Sequence, residues 1–393
     1  VNSWPLKKLS EVALIERDSI QPCEIKTGTS YVGLEHIESG GDIPYVPEVS
    51  KGDLASSKFR FTSKHILYGK LRPYLAKIAC PNFDGICSTD IVPILANTNM
   101  DKQYICYFLR QPKIVALANS RSTGANLPRL SPKALSEILL PVPPLHEQKR
   151  IAEILDRAEA LRSKRRAALA LLDELTQSIF LDMFGDPSER IVSGGIEFGS
   201  VVEEFRYGTS NKSGSNGFLT LRIPNVIGAS IELTDLKLVQ VDDAEFSRLR
   251  LLHGDLLFVR TNGNPDNVGR CAVFEENLIA DSGCDPKEFI YASYLIRARL
   301  KSSVMPVFIR ELMLTFEGRK NLRAAAKTSA GQYNINTQGL GSLPIFVPPI
   351  DLQRIFVDRV QVVNGLKAVL EKSQSELDQL FASLQHRAFR GEL

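Results

Sequence analysis

The chain has 393 residues, of which 44% are apolar and 24% charged, with a formal net charge of +3 and a pI near 8.4. That is the composition of a soluble globular protein of two or more domains, mildly basic, permitting a nucleic-acid partner without demanding one. No apolar run approaches a membrane span, and the N-terminal stretch lacks the apolar core of a signal peptide. Six scattered cysteines form no C-x-x-C pair and five histidines miss zinc spacing, so reduced thiols in a cytoplasmic protein are expected.

In chain order, residues 1–140 form a first variable block. Ser30–Ile37, Lys64–Tyr68 and Asp90–Leu95 are rich in β-branched and aromatic residues and separated by turn residues, which predicts a mixed sheet. Tyr104–Leu109 reads as a helix continuing to Lys113. Residues 141–184 follow, a proline run and then forty residues without proline or glycine. Proline tolerated only at the first turn predicts one helix, Leu145–Phe184, roughly 60 Å long at 1.5 Å per residue. Ile151, Ile154, Ala158, Leu161, Arg165, Ala168, Leu172, Leu175, Ile179 and Met183 give it a heptad seam. Gly185-Asp186-Pro187 ends it, with Ser193–Gly195 as flexible punctuation. Residues 185–343 form a second variable block. Strands are predicted at Phe218–Ile223, Leu256–Val259 and Phe289–Arg297, and a helix at Val307–Leu314.

Residues 344–393 repeat the long helix. Val347-Pro348-Pro349 matches Val142-Pro143-Pro144 at an offset of 205 (347 − 142), and without gaps the second seam reads Phe356, Arg359, Val363, Leu366, Leu370, Ser373, Leu377, Leu380, Leu384 and Ala388. Two helices of matched phase can bury such seams against each other. The blocks are also distant repeats with drifting offsets: Leu34 meets Ile223, His36 meets Asn225, Phe108 meets Phe308, and Ser122-Thr123-Gly124 meets Ser329-Ala330-Gly331.

The layout of block, helix, block, helix, with Pro143-Pro144-Leu145-x-Glu147-Gln148-x-x-Ile151 repeated from Pro348, resembles the specificity (S) subunits of type I restriction–modification systems. The second copy departs from the first where Leu352 stands in place of Glu147. The resemblance implies an α+β fold: two similar mixed α/β target recognition domains, each reading half of a bipartite DNA site, with two long antiparallel helices forming a coiled coil that sets their spacing. It further implies two methyltransferase (M) subunits docked on the helices, and restriction (R) subunits. S-adenosylmethionine, ATP and magnesium belong to those partners, and this chain binds no cofactor or metal. Partner contact is expected at the proline-led helix starts, through Leu145, Glu147, Gln148, Ile350 and Gln353.

No catalytic centre is legible. A P-loop is absent, and Asp18, Glu24 and Lys26, spaced D-x5-E-x-K, read as a surface charge cluster. Reading DNA needs Lys and Arg for phosphates, and Arg, Asn or Gln for base edges. In the first block the candidates are Lys70, Arg72 and Tyr74 in one turn, and Arg121, Ser122 and Asn126 around Gly124. In the second they are Arg222 and Asn225, Arg260 and Asn262, and Lys327, Gln332, Tyr333 and Asn334 around Gly331. Arg162–Arg166 reads as a solvated or phosphate-facing patch on the helix. Two other readings stay open: a self-contained DNA-modifying enzyme with an unfamiliar site, and a coiled-coil scaffold that binds no DNA. The blocks differ in sequence, so the half-sites should differ.

Overall fold

A computed structural model describes residues 4–329 and 331–393; Ala330, inside the second glycine loop, lies outside the described residues. The chain divides into two compact units, one running to Ala167 and including Lys372–Leu393, the other Ala168–Glu371. Each unit therefore owns one variable block and one half of each long helix.

One sheet has the same strand order in both units. In the first, an antiparallel sheet runs in the order Ala13–Ile15, Ile91–Ala96, His65–Gly69, Ile78–Ala79. In the second, Val202–Tyr207, Leu295–Leu300, Leu256–Val259 and Cys271–Val273 take the same order. A second sheet in each contains one parallel pair, Thr29–Val32 with Gly85–Cys87 and Phe218–Leu221 with Phe289–Tyr291. Two helices follow in each, Lys102–Leu109 and Pro112–Ser120, then Pro306–Leu314 and Phe316–Ala325. The single helix expected to run on to Lys113 is broken at Gln111, because Pro112 opens a new helix. Pro187–Gly194 is likewise a short helix, capped by the Asp186 carboxylate on the Ser188 N–H, and it takes in Ser193 and Gly194, which were expected as flexible punctuation.

The long helices span Leu145–Phe184 and Ile350–Ala388. The first ends on Gly185 at φ +76°, whose N–H donates to the Leu181 carbonyl. Their pairing is antiparallel within each unit. Ile151 and Leu155 from the start of the first helix share a core with Ala388 and Phe389 from the end of the second. Phe180 and Phe184 from the end of the first share a core with Phe356 and Val360 from the start of the second. Phe108 meets Phe389 at 5.4 Å, and its repeat counterpart Phe308 meets Phe184 at 5.2 Å.

Gln148 and Gln353, expected at a partner surface, are wholly buried. Gln148 Oε1 accepts from the Asp101 N–H, and its Nε2 donates to the Pro143 and Asn99 carbonyls. Gln353 repeats this with the Met305 N–H and the Pro348 and Ser303 carbonyls. The side chain satisfies backbone groups that the proline turn and the next helix start would otherwise bury unpaired. The signature glutamine is thus a lock between block and helix. Glu147 pairs instead with Arg150 at 2.6 Å, and Leu145 and Ile350 are half-buried beside the lock.

One line of the expected seam holds, through Ile151, Ala158, Arg165 and Leu172 and through Phe356, Val363, Leu370 and Leu377, while the alternate position shifts by one residue. Along the first helix the inward line is Ile151, Leu155, Ala158, Arg162, Arg165, Leu169, Leu172, Thr176, Phe180. Along the second it is Phe356, Val360, Val363, Lys367, Leu370, Gln374, Leu377, Phe381, Leu384, Ala388. Leu161, Leu175, Leu366 and Leu380, all expected inside, are 53%, 42%, 52% and 50% exposed. Polar seam residues explain the difference. Arg162 pairs across the helices with Asp378 at 2.6 Å and stacks over Phe381 at 4.5 Å, and Lys367 pairs with Asp173. Burial pushes the Asp378 carboxyl up, but hydrogen bonds from Arg162 and Gln374 outweigh it and hold it below the usual range. Arg165 keeps its seam place half-buried, with no ion pair among the described residues.

Truncating either lock leaves a buried N–H and two carbonyls without partners. Gln148→Ala and Gln353→Ala should each cost about 2–4 kcal/mol, since each orphaned buried group costs ~1–3 kcal/mol, partly relieved by relaxation. The loss should be local. Hydrogen exchange should rise around residues 99–105 in the first variant and around 303–309 in the second, with the other unit unchanged.

Candidate nucleic-acid interface

In the first unit the two nominated loops meet. The Lys70 carbonyl accepts from the Leu130 N–H at 2.9 Å, and the Arg72 N–H donates to the Pro128 carbonyl at 2.7 Å. Thr123 and Arg129 then exchange two backbone bonds of 3.0 and 2.8 Å. Residues 70–74 and 121–126 thus flank a common strand-like segment, 128–130. Arg72, Tyr74, Arg121 and Asn126 are exposed, Lys70 and Ser122 half-buried. Arg72 sits at φ +51°, ψ 64°, the left-handed region, immediately before Pro73. A non-glycine residue there costs roughly 1–2 kcal/mol, and the fold accepts that cost at an exposed cation.

The second unit builds the same edge with better-formed strands. Thr261–Asn262 pairs with Gln332–Asn334, which pairs with Lys327–Ser329. Asn334 therefore stands where Arg129 stands in the first unit, each the middle segment's partner to both loops. Arg260 lies 4.8 Å over the Tyr207 ring and donates to the Ser293 carbonyl. Gln332 Oε1 accepts from the Thr261 hydroxyl at 3.0 Å, and Asn262 Oδ1 from the Asn264 N–H at 2.9 Å. Tyr333 is half-buried against the unit's core, while Lys327 is exposed.

Two nominated residues lie elsewhere and do other work. Asn225 is fully buried; its Oδ1 accepts from the Arg222 N–H and its Nδ2 donates to the Glu232 and Thr234 carbonyls. With every polar atom engaged it cannot read a base. His36, its repeat counterpart, caps the same turn through Nδ1 and the Gly33 N–H at 3.0 Å. Arg222 is tied to Asp235, at 2.6 Å to the carbonyl and 2.8 Å to the carboxylate. Sequence reasoning also missed Arg129, exposed and paired with Asp90 at 3.2 Å. The helix offset of 205 would have found it, since Asn334 lies 205 residues on (334 − 129).

Asp18, Glu24 and Lys26 line a groove of about 470 Å³ with Glu16, Arg60, His65 and Asp84. His65 donates from Nε2 to Glu16 at 2.9 Å while Nδ1 accepts from the Thr62 N–H. Among the described residues no group of three or more His, Cys, Asp or Glu is placed to hold a metal ion. No helix of the described residues is long and apolar enough to cross a membrane.

The family described as "Type I restriction modification DNA specificity domain" matches residues 6–170, which take in the first edge and the first lock. Over those residues the chain is similar to type I restriction–modification specificity domains. The specificity subunit of the type I restriction enzyme EcoKI, from Escherichia coli K12, is 27% identical over 310 residues, covering 74% of this chain and 65% of that protein. That of StySPI, from Salmonella potsdam, is 28% identical over 309 residues, with the same two coverages. The chain thus spans just under two thirds of the length of these curated relatives. A solved structure concerned with complex assembly and conformational transition of the type I R-M system shares the fold, with a TM-score of 0.56 and 21% identity, covering 100% of this chain and 99% of that one.

The strain at Arg72 separates binding from stability. Arg72→Gly relieves the left-handed backbone, so the variant should unfold at no lower denaturant concentration than the parent. A DNA contact at this edge predicts that affinity for duplex nevertheless falls, by about tenfold for one lost charge-assisted contact of ~1.4 kcal/mol. Fluorescence anisotropy and urea titration check the two halves.

Proposed function

We propose that this chain is the non-catalytic specificity subunit of a type I restriction–modification complex, each unit reading one half of an asymmetric bipartite site in double-stranded DNA. One observation carries the reading. Both units assemble the same three-segment edge from loops far apart in sequence, and fill it with different donors. Arg72, Arg121, Asn126 and Arg129 stand on one; Arg260, Asn262, Lys327, Gln332 and Asn334 stand on the other. Arginine and amide side chains on an exposed edge supply phosphate and base-edge contacts. Different donors on one scaffold imply different half-sites. The paired helices set the gap between them.

Partner docking follows from the seam phase. Leu352, Ile355, Val362, Leu366 and Val369 are exposed at heptad spacing on the second helix, from 43% for Leu352 to 67% for Val369. Leu161, Leu171 and Leu175 are exposed on the first. Apolar side chains repeating this way outside a seam suit a further helix. The occupants in this reading are M subunits, which bring S-adenosylmethionine and methyl transfer. R subunits with ATP and magnesium complete the cytoplasmic nuclease. The stripe replaces the helix starts as the docking surface, because Gln148 and Gln353 are buried.

Mapping adenine methylation on a random-sequence library tests the function. Chain plus M subunit plus S-adenosylmethionine should mark one asymmetric bipartite motif. Methyl transfer by the chain alone, or motif-free transfer with M present, would contradict the reading. Docking has its own test. Val362→Asp with Val369→Asp changes side chains 66% and 67% exposed, so stability should hold within about 0.5 kcal/mol. Copurification of the M subunit should drop at least tenfold; undiminished copurification would move docking elsewhere.

A further inference from the structure

Beside the second unit's edge, three guanidinium groups converge on one turn. Asn262–Asn264 runs into the turn Pro265–Asn267, and the helix Phe316–Ala325 lies against it. Gly269 makes the approach possible: its φ is +73°, and a Cβ there would meet the Leu322 side chain at 2.5 Å. Arg270 donates from Nε to the Asp266 carbonyl at 3.1 Å and from Nη1 to the Ile227 carbonyl at 3.3 Å. Arg319 donates from Nη2 to the Asp266 and Val268 carbonyls, at 2.9 and 3.0 Å. Arg323 pairs with the Asp266 carboxylate at 2.6 Å.

The charge there does not balance. Only Arg323 reaches the Asp266 carboxylate, which is 52% exposed, while Arg270 and Arg319 bond to main-chain carbonyls and have no ion pair among the described residues. The neighbouring Lys320 is already paired with Glu317 at 3.1 Å. Arg319 Nη1 is buried and has no hydrogen-bond partner. Burial, with the Arg270 and Arg323 charges beside it, pulls the Arg319 guanidinium below its ordinary range. Like charges held together are costly unless an anion balances them, and Arg323, half exposed, is open to one. With the starts of the helices Pro112–Ser120 and Phe316–Ala325 aligned (316 − 112 = 204), Val115 and Asn119 of the first unit stand in the places of Arg319 and Arg323.

We propose that Arg270, Arg319 and Arg323 form a phosphate clamp that grips the DNA backbone next to the base-reading edge of the second unit. This rests on the DNA-reading function proposed above and adds a sequence-independent grip to one half-site. The second unit thereby supplies backbone contacts for which the first has no counterpart at these positions.

Salt dependence tests the clamp, because each phosphate contact contributes about 0.9 to the slope of log affinity against log salt. Binding is measured with the full chain in complex with M subunit, on duplexes with the mapped motif and with either half-site scrambled. Arg323→Gln, at a side chain 51% exposed, should lower the slope by about 0.9, and Arg270→Gln with Arg323→Gln by about 1.8. Affinity should fall by the same factor on every duplex, and Arg323→Lys should restore most of the slope. An unchanged slope in the double variant, with the motif still preferred, overturns the clamp alone. A change confined to the intact motif also overturns it, since that marks a base contact. A parent complex showing no preference for any duplex overturns the DNA-reading function and the clamp together.

Discussion

Each unit depends on being closed by the ends of both long helices. The first unit buries Ile151 and Leu155 from one helix start and Ala388 and Phe389 from the other helix end, so its core is incomplete without Lys372–Leu393. The second is closed the same way by Phe180, Phe184, Phe356 and Val360. Removing one such phenylalanine would cost about 3–5 kcal/mol, a large share of a typical domain's stability of ~5–15 kcal/mol. The glutamine locks fix where each helix starts, and the phenylalanines fix where it ends. The antiparallel pairing of the two helices is set by these four ends.

Between the ends the seam is sparse and polar, and this has a functional consequence. Arg162, Lys367, Gln374 and Thr176 occupy inward positions that leucine would fill in a tighter coiled coil. The ion pairs Arg162–Asp378 and Lys367–Asp173 specify register more than they add stability, as polar seam residues do. Apolar residues displaced from the seam lie exposed beside it. A helix pair so arranged holds its register and still has apolar surface for further helices.

Much of this was legible in the chain. Proline-led, glycine-free runs of matched length gave both long helices, because backbone chemistry alone decides where such a helix can start and stop. The loop pairs around Gly124 and Gly331 were legible as candidates from residue type and from the repeat. Their assembly into one edge was not, since pairing 261–262 with 333–334 is a long-range backbone contact that leaves no local signal. One of the two seam positions was misread because counting apolar residues favours Leu161 and Leu175 over Arg162 and Thr176, while cross-helix ion pairs reward the polar choice. Gln148, Gln353 and Asn225 were misread for a related reason. An amide that satisfies buried backbone and an amide that reads a base are the same side chain, and only burial separates them.

Two units with separate cores and separately built edges should choose their bases independently. Exchange of block residues 4–140 for those of a relative, keeping Tyr104, Phe108 and the Phe389 contact, tests this most directly. The readout is the methylation motif of the chimera with its M subunit. The account predicts that one half of the motif changes while the other half and the gap stay as they were. A motif altered in both halves, or in neither, would contradict it.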